Sequence, residues 1–454
     1  MESFDRQHLT QLVARERGQY RRANPRSLAV HEAARHLFAR VPMTWMNEWS
    51  GGFPLAFERA HGAMITDADG HELVDFALGD TGAMAGHSPD ALVRALEERV
   101  GRLGGVTTMM PTSDGEWVAH ELTRRFGLAQ WSFTLSATDA NRWLLRLVRL
   151  VTRRPKILVF SYCYHGSVDE TFVIVDAHGR PAMRPGCVAP AVDPTTTTRV
   201  VEFNDLESLE RELRHGDVAA VLAEPALTNI GIVLPAPGFW EGVRRLCDET
   251  GTLMILDETH TFSAGPGGAT RRYGLQPDAL TIGKSLGGGV PCGAFGLSES
   301  LAQRLMGALT EGVDITDVGG VGGTLAGNAM SLAAMRAVLG EVLTDESFAR
   351  MEVLATTFTL GVRESITRHG VSWSVSQLGT RCEYRFMDPA PTNGGESAAS
   401  TDKTLEEYLH LYTINRGVVL TPFHNMALMC PATTSEHVAQ HQRVFDAALD
   451  ELVG

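Results

Sequence analysis

The sequence contains no apolar run approaching the ~18 residues of a transmembrane helix, and residues 1–24 contain no apolar segment typical of a signal peptide. It also contains no basic stripe, and its net charge of −14 at pH 7 argues against a nucleic-acid-binding protein. Its six cysteines form no CxxC pair, so we expect neither a disulfide framework nor a zinc site. These absences favour a cytoplasmic protein with reduced thiols and no membrane partner.

The 454 residues are 44% hydrophobic and 21% charged, which is typical of globular proteins and allows two or three domains. Spaced apolar residues between positions 5 and 40 predict one or two amphipathic helices, broken near Asn24-Pro25. The turn sequence Asp-Ala-Asp-Gly at residues 67–70 predicts a hairpin. It does not match a calcium-binding EF-hand loop, because its glycine is fourth and not sixth, and we expect no metal site.

From about residue 90 to residue 330, apolar strand patterns alternate with helical patterns, which predicts a mostly parallel sheet with helices on both faces. The predicted strands cover residues 131–134, 156–160, 219–223, 253–256 and 280–282, and the clearest helices cover residues 141–152, 206–215 and 239–250. After residue 328 a long helical pattern continues towards residue 369 and leads into a smaller mixed region, which ends in a helix at 435–452. Residues 393–397 predict a mobile surface loop.

Two of these predicted strands end in side chains that carry chemistry. Asp257 and Glu258 follow one strand, and Lys284 follows the next. Polar residues at the carboxyl ends of parallel strands line ligand crevices. A lysine can form a Schiff base with an aldehyde cofactor, and a carboxylate can pair with a pyridinium nitrogen, so together they indicate pyridoxal 5'-phosphate (PLP). The alternative is that Asp257 and Lys284 are a structural ion pair.

Residues 136–141, Ser-Ala-Thr-Asp-Ala-Asn, lie between a predicted strand and a predicted helix. Backbone N–H groups at such a helix start can bind phosphate, although by themselves these residues favour a plain N-cap at Ser136 or Thr138. Tyr164 follows another strand and either stacks on a flat ring or packs in the core. His165 is as compatible with a buried, hydrogen-bonded histidine as with a catalyst, and we assign no proton transfer to it.

The glycine-rich residues 319–324 indicate a close approach of the backbone to another group. Residues 282–285, Ile-Gly-Lys-Ser, superficially resemble a nucleotide-binding Walker A motif. That motif requires a glycine five residues before the glycine of Gly-Lys, and this position is Asp278. The nucleotide-binding interpretation therefore fails on spacing.

In their order along the chain, these segments resemble those of fold-type I, class III PLP-dependent aminotransferases, and most closely the glutamate-1-semialdehyde aminomutase branch. The resemblance extends from about Phe53 to the C-terminus. It rests on residues 62–70, residues 136–141, Tyr164-His165-Gly166, Glu224-Pro225, Asp257-Glu258-Thr259, the Lys284 segment and residues 323–328. Each segment alone is weak evidence, but the shared order and compatible spacing are specific.

The resemblance implies the following contacts with the cofactor ring. Lys284 is expected to form the Schiff base and to move the proton, and Asp257 is expected to keep the ring nitrogen protonated. Tyr164 is expected to stack on one face of the ring. Thr259 is expected to pack against the other face, where the family more often has valine.

The resemblance also implies contacts with the phosphate. Ala137 and Thr138 are expected to bind it, and Thr324 is expected to reach the phosphate of the neighbouring subunit's cofactor, which makes a homodimer the minimum active unit. The remaining expected cofactor contacts are Ser136, His165, Glu224 and Asn229. The sequence departs from the family at Ala137-Thr138-Asp139, where Gly-Thr-Glu is usual. Asp139 is one methylene shorter than the usual glutamate, so the contacts of that glutamate are not assigned to it. Asn229 replaces the glutamate of γ-aminobutyrate-type relatives and agrees with the aminomutase branch.

Residues 43–47 and 420–425 are expected to lie at the substrate pocket. Amino acid substrates require an arginine for their carboxylate, but residues 43–47 and 420–425 contain none. Their aromatic and apolar side chains favour a pocket for a bulky amine. The predicted pocket residues are Trp45, Met46, Tyr164, Phe423 and Arg381. In one interpretation Arg381 binds the carboxylate of the substrate. In the favoured interpretation it is a structural residue, because strand arginines commonly pair with nearby acids.

The leading hypothesis is an amine- or ω-type aminotransferase, which moves an amino group from an amine or amino acid to a keto acid or ketone in ping-pong half-reactions. The alternative is an intramolecular aminomutase of the glutamate-1-semialdehyde type. A third hypothesis, a non-enzymatic binding or regulatory protein, is disfavoured by the intact Lys284 and Asp257. The predicted fold is α/β, with a large domain around a mostly parallel seven-stranded sheet and a small α+β domain made from both chain ends. The predicted domains are residues 1–85, 86–330 and 331–454.

Overall fold

The computed structural model describes residues 4–310 and 320–454. By its internal contacts the chain divides into two compact units. The larger unit comprises Asp90–Asp345 and Pro391–Ala399, and the smaller unit comprises Met1–Pro89, Glu346–Ala390 and Ser400–Gly454, in each case within the described residues. The smaller unit is thus built from both ends of the chain. The domain boundaries predicted from the sequence, after residues 85 and 330, stay predictions.

In the described part of the chain the α-helices are α1 (Arg6–Ala23), α2 (Pro25–Ala33), α3 (Asp90–Leu96), α4 (Ser113–Phe126), α5 (Ala137–Thr152), α6 (Pro194–Thr197), α7 (Leu206–Leu213), α8 (Phe239–Thr250), α9 (Gly268–Arg272), α10 (Glu299–Thr310), α11 (Ala329–Ala337), α12 (Asp345–His369), α13 (Gly394–Ala399), α14 (Lys403–Ile414) and α15 (Ser435–Val453). Short 3-10 segments cover Phe38–Arg40, Thr44–Glu48, Asp169–Thr171, Thr261–Ala264 and Lys284–Gly287, and π-helical segments cover Glu97–Leu103 and Val338–Val342. None of the helices in these residues is long and apolar enough to span a membrane.

The strands are β1 (Phe57–His61), β2 (Met64–Asp67), β3 (Glu72–Asp75), β4 (Gln130–Thr134), β5 (Lys156–Phe160), β6 (Val173–Val175), β7 (Pro181–Met183), β8 (Thr198–Val201), β9 (Val218–Ala223), β10 (Leu253–Asp257), β11 (Ala279–Ile282), β12 (Gly293–Leu297), β13 (Ser374–Leu378), β14 (Arg381–Arg385), β15 (Val418–Val419) and β16 (Met426–Leu428).

The core of the larger unit is a seven-stranded sheet in the order β4-β12-β11-β10-β9-β5-β8. The five strands from β11 to β8 pair in parallel, while β12 is antiparallel to both of its neighbours. Every residue of β9, β10 and β11 is buried, which explains why these strands are continuous apolar runs without alternation. The predicted mostly parallel sheet is therefore confirmed, and the antiparallel β12 was not predicted.

Helix α5, which follows β4, begins four residues before its predicted start. The reason is a cap: the Ser136 side chain accepts a hydrogen bond from the backbone N–H of Asp139 at 3.2 Å. The apolar periodicity becomes visible only later, from about residue 141. Helix α8 has the predicted bounds, and it is followed by Gly251, whose φ of 64° is a left-handed conformation that glycine adopts without strain.

The smaller unit contains a four-stranded sheet in the order β1-β2-β3-β15 and a three-stranded sheet in the order β13-β14-β16. β2 and β3 pair antiparallel and form the predicted hairpin. α1 ends at Ala23 and α2 begins at Pro25, so the predicted break is confirmed. A proline fits the first position of a helix, where an N–H group has no partner within the helix. On its buried face α1 contributes Tyr20, which packs with Phe53 and Leu411.

Two predictions of local structure are wrong. Residues 393–397 are not a surface loop, because most of them lie in α13, whose Gly394 is buried. Side chains fix its first turn: Asn393 Oδ1 accepts a hydrogen bond from Glu396 N at 2.9 Å, and Glu396 Oε2 accepts one from Thr392 N at 2.8 Å. The long helix predicted after residue 328 is also interrupted, since α11 passes into a π-helical segment and α12 begins separately.

Candidate functional site

A buried carboxylate lies at the end of β10 in the larger unit. Asp257 Oδ2 accepts hydrogen bonds from Asn141 Nδ2 and His165 Nδ1, both at 2.9 Å, and Oδ1 accepts one from the backbone N–H of Thr259 at 3.0 Å. The Thr281 hydroxyl donates to Asn141 Oδ1 at 2.8 Å, which orients the amide of Asn141. Three donors from separate segments therefore hold the Asp257 carboxylate.

These contacts decide the charge of the site. Burial disfavours the ionised form of Asp257, but the hydrogen bonds from His165, Thr259 and Asn141 outweigh it and lower the pKa of Asp257. Burial also disfavours the imidazolium form of His165, yet its neighbours Cys163 and Asp257 raise the pKa of His165 well above the ordinary value. The hydrogen bonds from its three donors therefore favour the ionised form of Asp257.

Lys284 follows β11, the strand that pairs with β10, and begins a 3-10 segment. Its φ of 42° lies in the left-handed region. This conformation costs a non-glycine residue about 1–3 kcal/mol, and residues that adopt it are concentrated at functional sites. Its Nζ atom lies 2.7 Å from His260 Nε2. His260 is only 5% exposed and follows Asp257 by three residues. The adjacent strand ends therefore bring the Lys284 and Asp257 segments together, as the sequence predicts.

The start of α5 lies against the loops that follow β5 and β11. A Cβ atom added at Gly166 would lie 2.0 Å from Thr138 Oγ1, and one added at Gly283 would lie 2.9 Å from the backbone nitrogen of Ala137. Glycine permits both approaches because it has no Cβ. The first N–H groups of this 16-residue helix are unpaired within the helix and attract anions. Ala137 and Thr138, the two residues expected to bind the phosphate, and the cofactor residue Ser136 are therefore beside the Lys284 loop.

Glu224 and Asn229 hold the loop that carries Tyr164. The half-buried Tyr164 donates its backbone N–H to Glu224 Oε1 at 3.2 Å, and the Thr228 hydroxyl donates to the other Glu224 oxygen. Asn229 Oδ1 accepts a hydrogen bond from Arg184 Nη2 at 2.7 Å, and Arg184 Nη1 donates to the carbonyl of Cys163, also at 2.7 Å. Both predicted residues thus act on the backbone around Tyr164.

The residues at this site fit PLP. Among the described residues, three buried polar atoms near Asp257 and Lys284 have no hydrogen-bond partner: Thr259 Oγ1, Ser285 Oγ and His165 Nε2. Such atoms are costly in a folded protein and are explained when a bound group completes the site. The ionised Asp257, the amine of Lys284 and the N–H groups of α5 match the ring nitrogen, the aldehyde and the phosphate of PLP, respectively.

Thr324 lines a separate cavity of about 680 Å³ in the larger unit, formed by residues 107–111, 320–324 and 326–329. Met109 and Met110 at its rim are 85% and 69% exposed. Gly319, the first residue of the glycine-rich segment, lies outside the described residues. The contact predicted for Thr324 across a subunit interface stays a prediction.

The other predicted substrate residues lie in the smaller unit. The rings of Trp45 and Phe423 are in edge contact, with centroids 6.0 Å apart, and Trp45 and Met46 line an apolar cavity of about 450 Å³. Arg381 is completely buried, and its Nη1 donates to Thr81 Oγ1 at 3.3 Å and lies 4.0 Å from Asp80 Oδ1. This pairing favours the structural interpretation of Arg381, while the substrate roles stay predictions.

Three contacts of the site were not predicted from the sequence: His260 with Lys284, Asn141 with Asp257, and Arg184 with Asn229. Asn141 belongs to a segment that the sequence singled out, but only for its helix start. The position of His260 directly after Asp-Glu-Thr was a usable signal. Arg184 follows β7 in an irregular region, where no pattern marks it.

We expect Gly166→Ala to lower both the free energy of unfolding and the affinity for PLP. Alanine at a φ of 77° costs roughly 1–2 kcal/mol, and its Cβ would collide with Thr138 at the start of α5. Gly179→Ala is the matched control, because Gly179 has a φ of 73° and no atom within 4 Å of an added Cβ. Thermal unfolding and PLP titration measure both variants, and equal effects would contradict a special role for the contact at Thr138.

Comparison with known proteins gives one consistent family. The model of the aminotransferase class-III family matches residues 45–449. A glutamate-1-semialdehyde 2,1-aminomutase of Gemmatimonas aurantiaca is 34% identical over 417 residues, which cover 89% of this chain and 92% of that protein.

Solved structures agree with this family. A glutamate-1-semialdehyde-aminomutase from Pseudomonas aeruginosa PAO1 is 47% identical, with a TM-score of 0.96 over 99% of this chain and 100% of that one, and a lysine-to-alanine variant of it is known in complex with PMP. An omega-transaminase from Sphaerobacter thermophilus is 27% identical, with a TM-score of 0.85 over 96% of this chain and 99% of that one. The chain therefore belongs to the class-III aminotransferase family and is a fold-type I, PLP-dependent enzyme.

Proposed function

We propose that this protein is an aminomutase, which exchanges the amino and carbonyl groups on adjacent carbons of one small amino aldehyde, with glutamate 1-semialdehyde as the first candidate substrate. The observation that carries the proposal is the likeness to the Pseudomonas aeruginosa aminomutase, 47% identity over 99% of the chain. This likeness favours the aminomutase over the intermolecular aminotransferase, which was the leading hypothesis from the sequence. The aminotransferase becomes the second candidate.

The contact between Asn229 and Arg184 supports this choice. In γ-aminobutyrate-type relatives a glutamate at this position is expected to swing against an arginine as the two substrates alternate. Here the neutral Asn229 amide accepts a hydrogen bond from Arg184, which is held in turn by the carbonyl of Cys163. An amide has no charge to alternate with, which suits an enzyme that binds a single substrate.

When bound, PLP supplies an aldehyde that reacts with amines and a ring that accepts electrons from the substrate. Lys284 would anchor the cofactor through Nζ and, once released, would move the proton at the substrate. Asp257, kept ionised by its three donors, supports a positive charge on the ring nitrogen. The N–H groups at the start of α5 would hold the phosphate. Tyr164 and Thr259 would lie against the ring and orient it.

The second candidate is an amine- or ω-type aminotransferase, and a specific observation favours it. The predicted substrate residues Trp45, Met46 and Phe423 are aromatic or apolar, and Trp45 and Phe423 are in contact. Such a surface suits a bulky amine better than a small carboxylate. The carboxylate of glutamate 1-semialdehyde would need a cation, and Arg381 is already engaged by Thr81.

One experiment separates the candidates. The purified enzyme with PLP is given glutamate 1-semialdehyde without any keto acid, and in parallel an aromatic amine with pyruvate. The aminomutase predicts the isomer with exchanged amino and carbonyl groups, detected by NMR, and no alanine from the amine. Alanine without the isomer would overturn the aminomutase in favour of the aminotransferase.

We also propose that the enzyme acts as a cytoplasmic homodimer, with the exposed apolar residues around the Thr324 cavity at the interface. Met109 and Leu325 are 85% and 52% exposed there, which is unusual for large apolar side chains that stay in water. The partner that this proposal names is a second copy of the chain, with Thr324 completing the phosphate site of its neighbour.

We expect Thr324→Ala to weaken PLP binding about tenfold or more, because a hydrogen bond to a charged group contributes roughly 1.5–3 kcal/mol. Thr108→Ala is the control, because Thr108 lines the same cavity but its hydroxyl is engaged locally with Met110. PLP titration followed by absorbance measures all variants.

Hybrid dimers test whether the Thr324 contact crosses the interface. When a Lys284→Ala chain pairs with a Thr324→Ala chain, a contact across subunits leaves one intact site in each hybrid. That site should bind PLP with the affinity of the unmodified enzyme. A contact within one chain leaves no intact site, and uniformly weak binding would contradict the proposal.

A further inference from the structure

Lys284 Nζ lies 2.7 Å from His260 Nε2, which is hydrogen-bond distance. In the proposed reaction the lysine amine is released when substrate takes its place on PLP, and it then acts on protons. The contact with His260 therefore bears on how this amine handles protons.

The surroundings of His260 hold it in place. Its backbone carbonyl accepts two hydrogen bonds from Ser263, one from the hydroxyl at 2.8 Å and one from the N–H at 3.2 Å. Its side chain is almost fully buried. The two carboxylates beside it are engaged by other groups: Asp257 by three donors, and Glu258 by the Thr261 hydroxyl and the backbone N–H groups of Ala269 and Thr270.

We propose that His260 is a positioning residue for proton transfer by Lys284. When released Lys284 takes a proton from a substrate carbon, Nζ becomes an ammonium, and His260 Nε2 accepts a hydrogen bond from it. The proton stays on Nζ and returns from there to the carbon on the other side of the transferred nitrogen, so no other acid or base is consumed. The imidazole stabilises the charge of the ammonium and holds Nζ in one place between the two transfers. This role rests on the proposed amino-transfer function.

The lysine content makes the contact directly measurable. The chain has only three lysines, Lys156, Lys284 and Lys403. Competitive labelling of the full-length, cofactor-free protein with acetic anhydride, read by mass spectrometry, therefore reports the reactivity of each amine separately. Lys156, which lies 3.4 Å from Asp217, and the exposed Lys403 serve as internal standards.

Three variants test the proposal. His260→Leu removes the acceptor at similar volume, His260→Gln keeps an acceptor at about the reach of Nε2, and His260→Asn keeps one that is too short. We expect near-neutral labelling of Lys284 to rise about tenfold in the Leu and Asn variants, because the ammonium form loses its hydrogen bond. It should stay close to the unmodified value in the Gln variant, with Lys156 unchanged throughout.

A second readout uses the enzyme loaded with PLP. With glutamate 1-semialdehyde deuterated at the reacting carbon, His260→Leu and His260→Asn should slow proton abstraction about tenfold and enlarge the isotope effect, and His260→Gln should restore most of the rate. His441→Leu is the control for removing an equally buried histidine, since His441 packs among Phe76, Phe358 and Phe445 in the smaller unit. It should change neither readout.

The outcomes distinguish this proposal from the proposed function. If labelling of Lys284 is the same in the Leu, Asn and unmodified proteins, His260 does not stabilise the ammonium and the proposal is overturned, whatever the enzyme's substrate. If His260→Leu does not fold, the comparison of Gln with Asn decides in the same way. The expected labelling pattern in a protein that converts neither amines nor amino aldehydes would support the contact and reject the proposed function.

Discussion

Lys284→Ala is expected to abolish turnover and to remove the absorbance band near ~410–430 nm that marks lysine-bound PLP. The physical reason is that, of the three lysines in the sequence, Lys284 alone follows β10 or β11 directly, where Asp257 and the start of α5 would hold the ring and the phosphate. Loss of a covalent anchor that also moves the proton should reduce the rate by roughly a million-fold. Absorbance spectra and the isomerisation assay measure the two effects.

The fold should survive this change. Alanine and lysine have the same backbone restrictions, so the φ of 42° at position 284 is no more strained in the variant. Lys156→Ala is the matched control, because it removes a lysine whose partner, Asp217, lies outside the site. A Lys284→Ala protein that keeps either the band or the activity would show that the anchor lies elsewhere.

Asp257→Asn is expected to keep the fold and to lower the rate by roughly a hundred- to a thousand-fold, the size of a lost preorganised electrostatic contact. The amide has the shape of the carboxylate but not its charge. In one orientation its NH₂ group would face the donors of Asn141 and His165, and in the other it would face the N–H of Thr259. Both places require a hydrogen-bond acceptor. Single-turnover rates with PLP-loaded protein measure the effect, and a rate close to that of the unmodified enzyme would reject this role.

The pH profile provides a second test of Asp257. Because the pKa of Asp257 is lowered, its carboxylate should stay ionised from neutral pH down through the ordinary carboxyl range near ~4. The folding stability that this carboxylate contributes should be lost only as the pH falls below that range. The unmodified enzyme should therefore lose no activity through this group above about pH 5. Asp217→Asn is the control: Arg199 lowers the pKa of Asp217 to about 2, but this carboxylate is outside the site. It should leave the rate unchanged.

Local patterns predicted most of the fold of the larger unit. The apolar runs at β9, β10 and β11 read directly as buried strands, because a strand covered on both faces needs no polar alternation. The patterns failed where contacts distant in sequence decide the structure. The glycine-rich residues 393–397 suggested a loop, but the buried Gly394 packs so close to the Ser161 carbonyl that a Cβ there would lie 2.3 Å from it. Packing of this kind favours α13 over the local preference.

The sequence by itself determined the chemistry of the site: a carboxylate and a lysine at the ends of neighbouring parallel strands, and small residues at a helix start. These features are local, and the parallel sheet brings them to one edge. Only the tertiary structure decided which side chains control those groups. His260 meets Lys284, Asn141 meets Asp257 and Arg184 meets Asn229 because of strand order and loop conformation. The two residues of each pair are separated by 24 to 116 positions in the sequence. Such pairs leave no periodic signal, because periodicity reports only which face of its own element a residue occupies.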